Sequence, residues 1–153
     1  AQWRQYHYFF TVGHHPFLGK YTTRLIKTLD LELLQSAAKI VTRETDFASF
    51  CKAHGANKTT ICNVLECEWL LQNGFLVFRI RADRFLRNMV RALVGTMLEV
   101  GYGKMSLNDF QNVFFAHDRS SAGLSVSPNG LFLTGISYEK LPEISGVRTP
   151  FLY

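Results

Sequence analysis

Asp83-Arg84-Phe85-Leu86-Arg87-Asn88-Met89-Val90-Arg91-Ala92-Leu93-Val94-Gly95-Thr96-Met97-Leu98-Glu99-Val100-Gly101 is the stretch on which the fold turns. Asp83 suits an N-cap, because its carboxylate can accept from the unpaired N–H groups of a first helical turn, and Gly101 suits a C-terminal stop. The interval predicts a helix of about 17 residues, roughly 25 Å long. Phe85, Leu86, Met89, Val90, Leu93, Val94, Met97, Leu98 and Val100 cover most of its circumference. Such a helix is packed inside a layered core rather than laid on a surface. Arg84, Arg87 and Arg91 recur at i, i+3 and i+7, so they are predicted to form one stripe on this apolar cylinder. A buried helix that keeps three guanidiniums in line borders a cleft or an edge.

Just upstream, 60–71 and 75–82 are strand-like runs separated by Gln72-Asn73-Gly74. The Asn-Gly pair suits the positive φ angles of a hairpin turn. Leu76, Phe78, Ile80 and Ala82 share one face of the second run. At the start of the chain, residues 4–12 alternate, with Tyr6, Tyr8, Phe10 and Val12 on one side of a predicted strand. A loop from Gly13 to Leu29 carries Lys20, Arg24 and Lys27, after which Asp30 caps a helix facing inward through Leu31, Leu34, Ala38 and Val41. Residues 45–57 are irregular. Downstream of the central helix, Ser106-x-x-Asp109 opens another, with Leu107, Phe110, Val113 and Phe114 inward. A last strand covers 131–138 after an Asn129-Gly130 turn, and Pro142–Tyr153 forms an extended tail. The order β, α, β, β, α, α, β, without internal repeats, predicts one α+β domain over 1–153, a mostly antiparallel sheet with helices packed on it.

With 47% hydrophobic and 19% charged residues, the chain has a globular balance, and 13 phenylalanines point to an aromatic core or contact surface. Seventeen Lys and Arg against twelve Asp and Glu leave a net charge of +5 and a pI near 9.3. That balance favours a polyanionic partner, since each neutralised phosphate releases condensed counterions. Cys51, Cys62 and Cys67 contain no C-x-x-C pair, which argues against a zinc or redox motif and for reduced thiols in the cytoplasm. No apolar run has membrane-spanning length. His14 and His15, as adjacent positions, point apart, and His7, His54 and His117 form no ligand pattern, so no metal is expected. Ala1-Gln2-Trp3-Arg4 runs straight into a strand without an initiator Met, which fits processing or excision from a longer protein.

Several local sequences coincide with one family. Arg4-Gln5-Tyr6-His7-Tyr8 resembles the R-x-Y-x-Y strand that opens the C-terminal half of TruA-type tRNA pseudouridine synthases. Asp46-Phe47-Ala48-Ser49-Phe50 resembles their D-F-x-S-F segment. Phe85-Leu86-Arg87-Asn88-Met89-Val90-Arg91, continued by Val94-Gly95 and Glu99-Val100-Gly101, is similar to their F-L-x-x-M-V-R-x-x-V-G…E-V-G helix. Arg119 through Ala122, then Pro128 and Gly130-Leu131, resembles R-x-x-A…P-x-x-G-L. The matches follow the family's order and span nearly the whole chain. Cys62 stands where the family usually has an arginine after T-x. The family's nucleophile, an Asp in an R-T-D-A-G motif of the N-terminal domain, has no counterpart here, and Asp30, Asp46, Asp83, Asp109 and Asp118 sit in cap or turn contexts.

The resemblance implies the C-terminal half of the pseudouridine synthase fold and an isomerase that uses no metal or organic cofactor. In that chemistry an Asp carboxylate helps to detach uracil from ribose, the base rotates, and a new bond forms through its C5 carbon. The substrate implied is tRNA, at uridines 38, 39 and 40 of the anticodon stem-loop, with the base out of its stack. Arg91 matches the family arginine that pairs with the catalytic Asp, and Tyr6 the tyrosine that stacks on the target uracil. Arg84, Arg87, Lys20, Arg24, Lys27, Lys52 and Lys58 are candidates for backbone phosphates. A homodimer is implied, as is an N-terminal domain carrying the Asp, without which the fragment is inactive.

Two other functions fit parts of the pattern. In a non-catalytic RNA-binding α+β module, Tyr6, Tyr8 and Phe10 would form a stacking platform, although the K/R-G-F/Y-G/A-F-V-x-F/Y stretch of an RNA-recognition motif is missing. A small-molecule or assembly module on a ferredoxin-like sheet leaves the arginine stripe unexplained.

Overall fold

The computed structural model describes residues 1–13, 15–52 and 58–139. His14, His54 and the tail from Pro142 to Tyr153 lie outside the described residues. The architecture is α+β, an open, mostly antiparallel sheet with three helices packed on it, as the element order predicts.

Strand β1 (Trp3–Val12) organises the sheet. The aromatic alternation of this segment gives it a pleated face to bury, and it pairs on both sides. Strand β2 (Thr23–Leu25) lies parallel to its last three residues. Strand β3 (Val64–Gln72) forms a hairpin with β4 (Phe75–Ala82), and β4 runs antiparallel to β1, placing Tyr6, Tyr8 and Phe10 opposite Ile80, Phe78 and Leu76. Strand β5 (Leu131–Ser137) runs antiparallel along Trp3–Tyr8, on the same side of β1 as β2. At the β3–β4 turn Asn73 and Gly74 have φ of 51° and 81°, the left-handed pair that Asn-Gly accommodates.

Helix α1 (Leu31–Val41) is capped as predicted, with Asp30 accepting from the Leu33 N–H at 3.1 Å. Its Gln35 side chain closes the outer edge of β3, where the amide nitrogen donates to the Trp69 carbonyl and the amide oxygen accepts from the Trp69 N–H at 3.3 Å. Helix α2 (Met89–Gly101) is buried on most sides, and helix α3 (Leu107–Ala116) starts at Ser106, whose hydroxyl accepts from the Asp109 N–H at 3.0 Å. The core holds Tyr8, Phe10, Trp69, Phe78 and Ile80 from the sheet against Leu93 and Met97 of α2. A second aromatic group, Phe47, Phe50, Phe110 and Phe114, joins α3 to a single 3-10 turn at Ala48–Phe50, with Phe50 and Phe114 centroids 4.8 Å apart.

Three expectations are corrected. Helix α2 begins at Met89, not after Asp83, so Arg84 and Arg87 precede it and no three-arginine stripe exists. Asp83 is drawn to the sheet instead, because its carboxylate accepts from the Asn63 N–H at 2.8 Å and its carbonyl from Arg4 at 3.1 Å. Asn88 then sits in the left-handed region at φ 68°, which no continuous right-handed helix admits. The predicted loop 13–29 contains β2, too short for periodicity to show. The strand predicted from Thr60 starts at Val64.

Candidate active site

A pocket of about 300 Å³ opens where β1, the segment before α2 and the start of β5 meet. Tyr6, Phe85, Leu86, Met89, Val90 and Leu131 supply its apolar lining, and Lys52, Arg87, Asn88 and Arg91 its polar lining. Three of the ten lining residues are cationic and none is acidic.

Tyr6 reaches this pocket from β1, opposite Ile80 on one side. On the other side the register with β5 shifts between Gln5 and Tyr6, a bulge centred on Thr134. Its hydroxyl is hydrogen-bonded to His7 Nδ1 at 2.6 Å and donates to the Gln5 carbonyl at 3.3 Å. Bulges of this kind re-aim neighbouring side chains. The Tyr6 ring packs edge-on against Phe85, centroids 5.0 Å apart at 89°, which fixes its orientation and leaves it half-buried.

Arg91 projects from the first turn of α2 and is half-buried. Its Nε donates to the Val126 carbonyl at 2.7 Å, while the Val126 N–H returns a bond to the Arg91 carbonyl at 3.2 Å. Among the described residues no other hydrogen bond and no carboxylate engages its guanidinium. Asn88, the N-cap of α2, makes no side-chain cap bond, so the positive end of the helix also faces the pocket without a capping side chain. An arrangement of this charge can receive an anion. Behind it, burial raises the Tyr8 hydroxyl above its ordinary value, and the charge of Arg91 pulls the other way.

The five aspartates are elsewhere. Asp30 and Asp83 bond backbone N–H groups as above, Asp46 accepts from the Ala48 N–H at 3.0 Å and Thr60 at 2.7 Å, and Asp118 accepts from the Ser120 N–H at 2.9 Å. Asp109 accepts from the Ser106 hydroxyl at 2.7 Å. None lines the pocket.

Of the residues predicted to bind RNA, Arg87 and Lys52 lie at the pocket, joined by the Lys52 N–H donating to the Arg87 carbonyl at 3.1 Å. Arg84 is half-buried beside Cys62, and Lys58 is exposed outside the pocket lining. Arg24 borders a separate recess of about 240 Å³ with His15 and Thr22, Lys20 is exposed nearby in the chain, and Lys27 borders an apolar groove at the far end of the sheet. Among the described residues no group of three or more His, Cys, Asp or Glu could hold a metal. Sequence reasoning did not assign Phe85, Asn88, Leu131 or Val126 to the site. The first three lie inside the motifs quoted above, but Val126 acts through its carbonyl and leaves no side-chain signal.

A family model described as tRNA pseudouridine synthase matches residues 37–139. The chain belongs to the tRNA pseudouridine synthase family. Curated relatives named tRNA pseudouridine synthase A include the proteins of Bacteroides thetaiotaomicron, 45% identical over 138 residues, Chlorobium limicola, 37% over 138, and Bacillus licheniformis, 34% over 141. These alignments cover 88%, 90% and 91% of this chain and 51%, 57% and 57% of the relatives. This synthase-family chain thus spans about half the length of the curated relatives it matches. No helix among the described residues is long and apolar enough to cross a membrane.

Proposed function

We propose that this chain forms one wall of a site that isomerises uridine to pseudouridine in tRNA. A further segment of the same protein, an N-terminal domain with an R-T-D-A-G motif, brings the nucleophilic aspartate to Arg91. The observation that carries this reading is the meeting of Tyr6 and Arg91 in one cationic pocket with no acid among its described lining residues. A guanidinium held through Nε has its terminal nitrogens left for a carboxylate, which it would keep ionised in a partly dry site. Tyr6 offers a flat face for a uracil taken out of its stack. Arg87 and Lys52 at the rim suit the flanking phosphates, and Lys20, Arg24, Arg84 and Lys58 extend the contact along the anticodon stem-loop, where positions 38, 39 and 40 are the targets. The working protein is a cytoplasmic homodimer without metal or organic cofactor. The stacking-platform alternative is disfavoured, because Tyr8 and Phe10 are 0% exposed and no base can reach them.

The chain alone is expected to produce no pseudouridine, and joined to the Asp-bearing domain it is expected to be active. In the joined protein, Arg91→Ala should lower kcat at least about 100-fold while tRNA binding weakens much less. Equal losses in turnover and binding would make Arg91 a phosphate contact. Robust turnover by the chain alone would overturn the division of labour.

A further inference from the structure

The Arg91 side chain owes its setting to a segment without regular secondary structure, 122–127. We infer that Ser125 and Arg119 are positioning residues for Arg91, pinning this segment against α2 so that the Val126 carbonyl holds the guanidinium plane. The inference rests on the reading of Arg91 given above, and it concerns residues that do not line the pocket.

The geometry runs as a chain of bonds. The Ser125 hydroxyl accepts from Asn88 Nδ2 at 2.6 Å and from Arg119 Nη2 at 3.0 Å, tying the segment to the turn that precedes α2. The other arm of Arg119 donates to the Gly123 carbonyl at 3.0 Å. The Gly123 N–H donates to Thr96 Oγ1 on α2 at 2.9 Å, and the Tyr8 hydroxyl donates to the Ser127 carbonyl at 2.6 Å. Residues on both sides of Val126 are therefore clamped. One bond from Nε fixes the plane of a guanidinium, and with it the directions of the two terminal nitrogens. An arginine side chain otherwise samples many rotamers, so its bidentate geometry depends on the carbonyl that holds it. Loosening the clamp leaves Arg91 present and charged but misaligned, a defect that falls on turnover rather than on the binding of a substrate held by many other contacts.

The test uses the protein with its Asp-bearing domain. Ser125→Ala is expected to lower kcat about tenfold or more while KM and tRNA affinity change less than about twofold, with Ser125→Thr restoring most of the rate through its hydroxyl. Arg119→Lys, which can replace only one arm of the fork, should fall between wild type and Arg119→Ala. Circular dichroism and melting temperature give the folded fraction for each variant. The inference is overturned if Ser125→Ala keeps kcat within about twofold of wild type while Arg91→Ala abolishes it. A rate loss that only tracks the folded fraction, or that Ser125→Thr does not restore, also overturns it. Full turnover by Arg91→Ala would sink the proposed function, and the positioning role with it.

Discussion

Cys62 lies close to Arg84, just ahead of strand β3. In sequence it is only a thiol where the family usually has an arginine. In the structure it is 0% exposed, and burial pushes its thiol up to about 11, with the neighbouring charge of Arg84 opposing. The thiolate is the reactive form, so Cys62 in the folded protein should react with iodoacetamide at pH 7.5 at least about 100-fold more slowly than in denaturant. Peptide mapping of the alkylated chain measures this directly, and equal rates in both conditions would contradict the buried setting. Motif contexts singled out Tyr6 and Arg91 among several tyrosines and arginines, and the fold brings both to one pocket. Val126 left no such signal, since a carbonyl contact carries no residue preference.

Helix α2 existed in the hydrophobic pattern, but its start did not. Asp83 has the chemistry of a cap, and only the competing bonds to Asn63 and Arg4 show that it serves the sheet. Losing the first turn moves Arg87 from a helix face to the pocket rim, which changes what it can touch. Gly95 raises the opposite question, because glycine inside a helix costs roughly 1 kcal/mol relative to alanine. A Cβ at Gly95 would lie 1.8 Å from the Leu124 carbonyl oxygen, and a backbone atom in a clamped segment cannot yield cheaply. Gly95→Ala is therefore expected to destabilise the chain by about 1–3 kcal/mol, against its helix propensity. Urea unfolding of the two proteins decides the sign. A gain in stability would show that the 122–127 segment is not pressed against α2.

At the scale of the whole molecule, the sheet separates two faces of different character. One is the aromatic core under the helices, and the other carries Arg79–Glu68 and Arg81–Glu66 ion pairs, Arg81 over the Trp3 ring at 5.0 Å, and His7. His7 lies across from Arg79 on β4 and bonds Thr134 on β5. Burial first, and the Arg79 charge second, hold its pKa below the ordinary 6.5, while Glu68 acts in the other direction. The unfolded chain then binds this proton more readily than the folded one. The His7 contribution is fully present above about pH 6.5 and is lost as the pH falls through that value toward the folded pKa. His7→Gln should flatten the pH dependence of unfolding free energy between about pH 7 and 5, and an unchanged slope would remove His7 as its source. Periodicity, turn residues and caps are local, and by themselves they determined the α+β class, the hairpin at Asn73-Gly74 and helices α1 and α3, while the family was marked separately by the resemblance of motifs in order along the chain. Tertiary structure alone decided where α2 begins, that three residues of a loop join the sheet, and which carbonyl holds Arg91. Each of those outcomes depends on hydrogen-bonding partners distant in the chain, which no local sequence window contains.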